Sequence, residues 1–339
     1  MKCKKYFALV LFVIVLFTGC SKAPKPVEAE IPEPESIEEE AKEPDVSLYE
    51  QFLANEVTVH INGGEESDAG YFFSLKDMDE QNYTLEELVK EIIDAHSFSQ
   101  ETPDTTLRSI MYSYIDCGKD GIPELAIIID TPQGVEQWQE VLIIKEIDGN
   151  LETVYSTVAW SRFYVYLNEY GYIYNDGSGG ASHHQFDKEY IDGDGKYHFI
   201  YQSNTNAYSY PGDEEMDIYL IEFNFSNTKT DEGWRPAEYY AFGLVNRDQY
   251  PIEHNGFKGY CYDCMVENLG NIDTEPYMQD LSSISTAEEI PLSEAEERIA
   301  QNEEFAGLTE EIKNGKEADW KVLEESFDVP RYEEAEVQY

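Results

Sequence analysis

The strongest constraint on the fold is a two-residue alternation of apolar and polar side chains that begins near Leu107. Successive side chains of a β-strand point to opposite faces of its sheet, so this period predicts strands with one buried face. Turns such as Asp148-Gly149-Asn150 and Asp192-Gly193-Asp194-Gly195 separate the runs and supply the positive φ that tight hairpins need. The predicted strands cover residues 107–115, 124–130, 138–147, 151–159, 163–168, 172–174, 184–190, 196–203, 217–226 and 237–245.

Helices are predicted on both sides of this β-rich region. Thr84 and Glu87 form a capping box, and apolar residues follow at helical spacing at Leu85, Leu88, Val89, Ile92 and Ile93. A second capping box, Ser293 with Glu296, lies in an acidic C-terminal segment. No βαβ alternation is seen, so the sequence predicts an α+β fold that is predominantly antiparallel β. We expect a meandering sheet, an open barrel or propeller-like, with an N-terminal amphipathic helix and a C-terminal helical segment.

The N-terminus predicts export and anchoring. Three lysines precede an apolar run of residues 7–17, which is shorter than the about 20 residues of a spanning helix and is typical of a signal peptide over 1–19. The following Leu16-Phe17-Thr18-Gly19-Cys20 resembles the bacterial lipobox, and this resemblance implies lipidation of Cys20. An ordinary secretory cleavage nearby is the alternative. We therefore expect a location at the cell membrane, lipid-anchored and facing the extracytoplasmic side.

Three further segments follow this signal. Residues 20–46 are rich in Pro and Glu and predict a disordered tether that carries the lipid. Residues 47–270 predict the β-rich globular domain with its N-terminal helices. Residues 271–339 predict an acidic helical segment that packs on the sheet.

The charge of the chain limits its partners. Lys and Arg number 23 against 70 Asp and Glu, which gives a net charge of -47. A nucleic-acid backbone would be repelled by this field, so nucleic acid is excluded as a partner. Hydrophobic residues make up 41% of the chain, enough for a folded core. The predicted contacts are the membrane, through the lipid anchor only, and a glycan or protein ligand.

The run Asp116-Cys117-Gly118-Lys119-Asp120-Gly121-Ile122-Pro123-Glu124 has features of a calcium loop. Carboxylates stand at positions 1, 5 and 9, Gly121 suits a sharp turn, and position 7 can offer a backbone carbonyl, which are the oxygen ligands that Ca²⁺ prefers. Position 3 is Gly118 rather than Asp or Asn, and position 12 is Ile127, so the loop is not an EF-hand. Ca²⁺ binding and a tight turn without an ion both remain open. The candidate ligands are Asp116, Asp120, Ile122 and Glu124.

The same loop carries a family resemblance. Its Asp-Gly-Ile-Pro-Glu-Leu run, residues 120–125, resembles a signature of uncharacterised lipoproteins from Gram-positive gut bacteria. The runs Tyr49-Glu50-Gln51-Phe52-Leu53, Gly177-Ser178-Gly179-Gly180-Ala181 and Asp192-Gly193-Asp194-Gly195-Lys196 are also similar to that group. Gly118 departs from its pattern, in which the loop is usually richer in Asp. The resemblance implies a location and a fold but no activity.

A ligand-binding surface is predicted near residues 164–184. Tyr residues alternate along neighbouring predicted strands and can form an aromatic face that stacks sugar rings or binds peptides, although Tyr also suits half-exposed strands. The Gly-rich run 175–181 predicts a connection between strands, with a ligand-binding loop as the alternative. It does not match a serine-protease motif, and His183 and His184 would point to opposite faces. The candidate ligand-binding residues are Tyr164, Tyr172, Asp176, Gly177, Ser178, Gly179 and His184.

A disulfide is predicted because an exported chain is expected to fold in an oxidising compartment. Cys261 and Cys264 are three positions apart, and a local disulfide between them is the first prediction. Pairing of Cys117 with one of them and free thiols are the alternatives.

Two functions follow from these residues. The first is a membrane-anchored, non-catalytic binding protein for a glycan, a peptide or an envelope component, with Ca²⁺ as its one candidate cofactor. The second is an extracytoplasmic hydrolase that uses paired carboxylates. Two facing carboxylates in a cleft, one of them in apolar surroundings, would favour the hydrolase, and an exposed aromatic face would favour binding.

Overall fold

The strands form one large, mostly antiparallel sheet in which each long strand pairs with the next along the chain. This computed structural model describes residues 46–62, 75, 78, 81–96, 105–132, 137–180, 183–209, 216–228, 235–246 and 287–332. All of these residues belong to one compact unit. The predictions for the signal peptide, the tether, Cys20, Cys261 and Cys264 lie outside the described residues.

The order of strands across the sheet is β13-β12-β11-β10-β9-β8-β7-β6-β5-β4-β3-β14, and the sheet is not closed within the described part. Short strands β1 and β2 pair with each other, and β1 runs parallel to β6. The strands are β1 Val59–His60, β2 Asn82–Tyr83, β3 Ser109–Ile115, β4 Glu124–Asp130, β5 Trp138–Ile147, β6 Asn150–Trp160, β7 Phe163–Leu167, β8 Tyr172–Gly180, β9 His183–Ile191, β10 Tyr197–Ser209, β11 Met216–Asn224, β12 Tyr239–Asn246, β13 Glu288–Glu289 and β14 Lys321–Val322.

Helices α1 (Ser47–Leu53) and α2 (Leu85–His96) cover the β3–β6 part of the sheet. The Thr84 backbone N–H donates to Glu87 Oε2 at 2.9 Å, and the Glu87 N–H donates to Thr84 Oγ1 at 3.4 Å, as the capping box predicts. The apolar stripe of α2 is buried against alternate residues of β4 such as Leu125 and Ile127. No described helix is long and apolar enough to cross a membrane.

Helices α3 (Leu292–Phe305) and α4 (Glu310–Lys313) lie against the β8–β12 part. Asn302 Nδ2 donates to the carbonyl oxygens of Ile200 at 2.7 Å and Phe225 at 2.9 Å, which ties α3 to the sheet. The Arg298 guanidinium lies 4.2 Å from the centre of the Tyr239 ring. These helices cover what we call the aromatic face of the sheet, which carries Tyr166, Tyr174, Phe186 and Tyr190.

The sheet bends between β6 and β7. Within the described residues these strands share a single register pair, Trp160 with Phe163, so they diverge beyond it. Tyr155 on β6 therefore reaches β9, where its hydroxyl donates to Glu189 Oε2 at 2.7 Å. The bend encloses what we call the polar face of β8–β10, which carries Asn175, Asp187, Glu189 and Gln202.

The interpretation of residues 175–180 as a connection was wrong, because β8 continues to Gly180. Its glycines are strand residues with rings packed on them. A Cβ on Gly177 would lie 2.5 Å from the Phe163 ring, and one on Gly179 would lie 2.5 Å from the His183 ring. Glycine inside a strand commonly marks such a close approach, and turn-like composition alone does not show it.

Candidate functional site

Four of the predicted ligand-binding residues meet on the aromatic face. Tyr164 is directly opposite Asp176 in the β7–β8 register, and Ser178 is opposite His184 in the β8–β9 register. The Tyr164 ring is 6.4 Å from that of Tyr166, and Tyr164 is 51% exposed. We call this surface the tyrosine strip; it comprises Tyr164, Tyr166, Asp176, Ser178 and His184.

The other three predicted residues are not part of this strip. Tyr172 lies at the opposite end of β8, six positions and about 20 Å from Ser178, opposite Tyr190. Gly177 and Gly179 are on the other face of the strand, beneath the Phe163 and His183 rings. Most of the predicted aromatic face is buried, since Tyr174, Tyr190 and Tyr201 belong to the core under α3.

Ser178 is oriented by its own strand. Its hydroxyl donates to the Gly180 carbonyl at 2.9 Å. His183 lies on the other face of β9, where its Nδ1 is 3.0 Å from Asn206 Oδ1. The hydroxyl hydrogen of Ser178 is therefore engaged by its own strand, while His184 is its neighbour across the aromatic face.

The carboxylates of the candidate calcium loop bind different partners. Asp116 Oδ1 accepts from the Gly121 N–H at 2.9 Å, and Asp120 Oδ1 accepts from the Ile122 N–H at 2.8 Å. Glu124 points into the protein, where Oε2 accepts from the Cys117 N–H at 2.7 Å. Among the described residues, no group of three or more His, Cys, Asp or Glu side chains is arranged to hold a metal ion.

Gly118 has a packing role at the position where a calcium loop would have Asp. Its φ is 74°, and a Cβ there would lie 2.4 Å from the Gly193 backbone nitrogen. The turn therefore packs backbone to backbone against the turn between β9 and β10. In that second turn, Asp192 Oδ1 accepts from the N–H groups of Asp194 at 3.0 Å and Lys196 at 2.9 Å.

Glu124 forms a buried ion pair with Lys145 on β5. Burial raises the pKa of Glu124, and the Lys145 ammonium and the Cys117 N–H oppose that rise. Tyr49 of α1 covers this region: its hydroxyl donates to the Pro123 carbonyl at 2.9 Å and accepts from the Glu146 N–H at 2.9 Å. Cys117 is a free, buried thiol whose pKa is raised by burial.

A second group of buried carboxylates, on the polar face, was missed by the sequence analysis. Glu189 accepts from Tyr155 at Oε2 and from Tyr197 at Oε1, both at 2.7 Å. Asn175 Nδ2 adds a contact of 3.3 Å to Oε2, and Arg235 Nη2 lies 4.0 Å from Oε1. The available signal was polar residues at alternate positions 185, 187 and 189 of a predicted strand, which usually indicates a solvated face.

Asp187 lies beside this group with weaker compensation. Gln185 Nε2 donates to Asp187 Oδ2 at 2.9 Å. Burial and then the Glu189 charge raise the pKa of Asp187 to about 7, against the opposing effects of Arg235 and of hydrogen bonds from Gln185 and Gln202. Asp187 and Glu189 are 3% and 7% exposed, so neither is open to solvent.

The chain was also compared with known proteins. No protein-family model, curated protein or solved structure matches it.

Proposed function

We propose that the protein is a membrane-anchored extracytoplasmic lipoprotein that binds a glycan through the tyrosine strip without chemical conversion. The main support is Tyr164, whose half-exposed ring stands beside the Tyr166 ring and opposite Asp176. A Tyr ring offers rigid contact area at low entropic cost, and the neighbouring carboxylate and hydroxyl can accept or donate hydrogen bonds.

Charge supports a glycan without anionic groups. A chain of net charge -47 repels polyanions, whereas an uncharged sugar ring pays no such penalty. A sugar presents one apolar face for stacking and a rim of hydroxyls for polar contacts. The strip offers both kinds of partner in neighbouring strand positions.

A glycan and peptide array with the protein lacking its signal peptide tests this proposal. We expect Tyr164→Ala to weaken glycan binding about 3- to 10-fold, because one aromatic stack contributes about 0.5–1.5 kcal/mol. Tyr164→Phe keeps the ring and is the matched control, and it should retain most of the affinity. Glycan binding unchanged in Tyr164→Ala, or binding confined to peptides, would overturn the proposal.

Anchoring through Cys20 is part of the same proposal and rests on the lipobox-like sequence that precedes it. Acyl chains would hold the acidic body at a surface that its own charge avoids. Metabolic labelling with a fatty acid should mark the wild type and fail to mark Cys20→Ala. Label that persists in this variant would refute the anchor.

Calcium remains a proposal for the 116–124 loop. Both Glu124 oxygens already bind Lys145 and the Cys117 N–H, so an ion would depend on Asp116, Asp120 and the Ile122 carbonyl. That set is smaller than the six to eight oxygens Ca²⁺ usually takes, and water would have to complete it.

A hydrolase is the second candidate, and one observation favours it. Asp187 and Glu189 are paired carboxylates with different surroundings, which is the arrangement that separates an acid from a base. Their low exposure weighs against access by a polymeric substrate. Products released from any array component, and absent with Asp187→Asn, would establish this alternative in place of simple binding.

A further inference from the structure

Two buried acceptor atoms on the polar face have no hydrogen-bond donor. Within the described part of the chain, neither Asp187 Oδ1 nor Asn175 Oδ1 accepts a hydrogen bond, although both side chains are more than nine-tenths buried. An unpaired buried acceptor is destabilising, so folded proteins rarely leave one unsatisfied. Here two such atoms belong to neighbouring residues.

The strand register brings these two side chains together. Asn175 and Asp187 are directly opposite each other on β8 and β9, so they share a face with Cβ atoms about 4.5–5.5 Å apart. The Asn175 amide cannot be reversed, because its Nδ2 faces Glu189 Oε2 at 3.3 Å and reversal would set oxygen against oxygen. The Asn175 oxygen therefore remains an acceptor that needs a donor.

The charges nearest to Asp187 are also unbalanced by one unit, because Asp187 and Glu189 are two carboxylates beside the single guanidinium of Arg235. Arg235 is the one guanidinium of the polar face among the described residues; it lies nearer to Glu189 and also donates to Asn227 Oδ1, at 2.9 and 2.7 Å. Tyr155 and Tyr197 are uncharged donors, because burial raises their pKa values far above the usual range. Among the described residues, the titratable or charged groups of this face are Tyr155 on β6, Glu189 on β9, Tyr197 on β10, Arg235 before β12 and, further along, His183, Glu222 and Tyr240.

We infer that Asp187 and Asn175 form a proton-binding site in which a proton on Asp187 Oδ1 is donated to Asn175 Oδ1. A single proton turns one of the two acceptors into a donor, satisfies both atoms and removes the excess negative charge. No space for a larger ligand is needed. The upward shift of the Asp187 pKa, to about 7, agrees with this arrangement.

The site makes stability depend on pH in a defined direction. An unfolded Asp has its ordinary pKa of 3.8, so the folded chain binds this proton more tightly. The contribution of the site is therefore complete below about pH 4, falls as the pH rises and is lost above about pH 7. This behaviour is opposite to that of a salt-bridged Asp.

The variant Asp187→Asn tests the inference. Its amide can donate to Asn175 Oδ1 at every pH, so the variant imitates the protonated carboxyl. We expect its Tm to exceed that of the wild type by a margin that grows by several degrees between about pH 4 and about pH 7. Asp194→Asn, the same change at an exposed position in the β9–β10 turn, should retain the wild-type pH profile. Parallel curves for Asp187→Asn and the wild type would overturn the site.

A second measurement uses the wild-type protein, so it does not depend on whether a variant folds. Infrared spectra of wild type with ¹³C-labelled Asp carboxyls should show the C=O band of a protonated carboxyl at pH 6, and this band should disappear by about pH 8. A metal cation would give a different result: Tm at pH 8 would rise when Na⁺ or K⁺ replaces choline at equal ionic strength. That result, or a missing carboxyl band at pH 6, would refute proton binding.

Discussion

Glu124 and Asp187 are both buried carboxylates of the same sheet, but the groups that surround them carry different charges. Glu124 forms an ion pair with the positively charged ammonium of Lys145 and accepts a hydrogen bond from the Cys117 N–H. Asp187 has amide hydrogen bonds from Gln185 and Gln202 and the like charge of Glu189 beside it. Burial raises the pKa of both carboxyls; the Lys145 ammonium opposes the rise at Glu124, whereas the Glu189 carboxylate adds to it at Asp187.

The difference also separates a structural region from a responsive one. At the Glu124 end, the ion pair, the Tyr49 hydroxyl and the Gly118–Gly193 backbone contact hold two turns together. At the Asp187 end, amide side chains and tyrosine hydroxyls surround a group whose pKa lies near neutrality. We expect substitutions at the first end to change stability at every pH, and substitutions at the second to change its pH dependence.

Lys145→Met should have the largest effect on stability. It leaves Glu124 buried without its ammonium partner, which typically lowers the free energy of unfolding by about 3–5 kcal/mol. Chemical denaturation at pH 7 measures this loss. Lys196→Met, at an exposed neighbouring turn, is the matched control and should change stability by less than about 0.5 kcal/mol.

The double variant Lys145→Met with Glu124→Leu tests whether the loss comes from the unpaired charge of Glu124. Replacing a buried ion pair by apolar groups is often neutral, so part of the lost stability should return, although Glu124→Leu leaves the Cys117 N–H without its acceptor. A loss under about 1 kcal/mol in Lys145→Met would show that Glu124 is already protonated there. The two carboxyls would then be alike and the comparison would fail.

Tyr197→Phe should have an intermediate effect at the other end of the comparison. It removes the hydroxyl that donates to Glu189 Oε1 at 2.7 Å, and a hydrogen bond to a charged group contributes about 1.5–3 kcal/mol. Thermal denaturation above pH 7 measures it. Tyr190→Phe, on the aromatic face of the adjacent strand, is the control, and an equal loss there would mean that removing any largely buried Tyr hydroxyl has this effect, without a special contribution from the bond to Glu189.

Most of the strand arrangement followed from the sequence because local signals agreed with the fold. The predicted strands 124–130 and 138–147 coincide with β4 and β5, where a Gly-containing hairpin turn at 148–149 ends the second strand. The same rules failed at 175–180. There the rings of Phe163 and His183 pack on glycines, and these contacts come from other strands.

The candidate sites were less predictable than the fold. Alternation assigns Asp187 and Glu189 to one face of β9, but it cannot show that the bend at Trp160 and Phe163 buries that face. The alternation of Tyr residues predicted an aromatic surface. Most of these side chains are instead buried in the core under α3 or packed against it, and Tyr164 is exposed. Which face is buried depends on contacts between distant strands, and these contacts cannot be predicted from the alternation within one strand.

The smallest expected effect tests whether the Glu124 end needs an ion. Asp120→Ala removes the acceptor of the Ile122 N–H at an exposed turn, so without Ca²⁺ we expect a loss of about 0.5–1.5 kcal/mol, or a few degrees in Tm. Asp194→Ala, at an exposed position in the neighbouring turn, is the control. If Ca²⁺ raises the wild-type Tm and not that of Asp120→Ala, the loop holds the ion through Asp120. If Ca²⁺ changes neither and Asp120→Ala matches its control, the side chain is dispensable, and the ion pair with the Gly118–Gly193 contact is sufficient to hold this end.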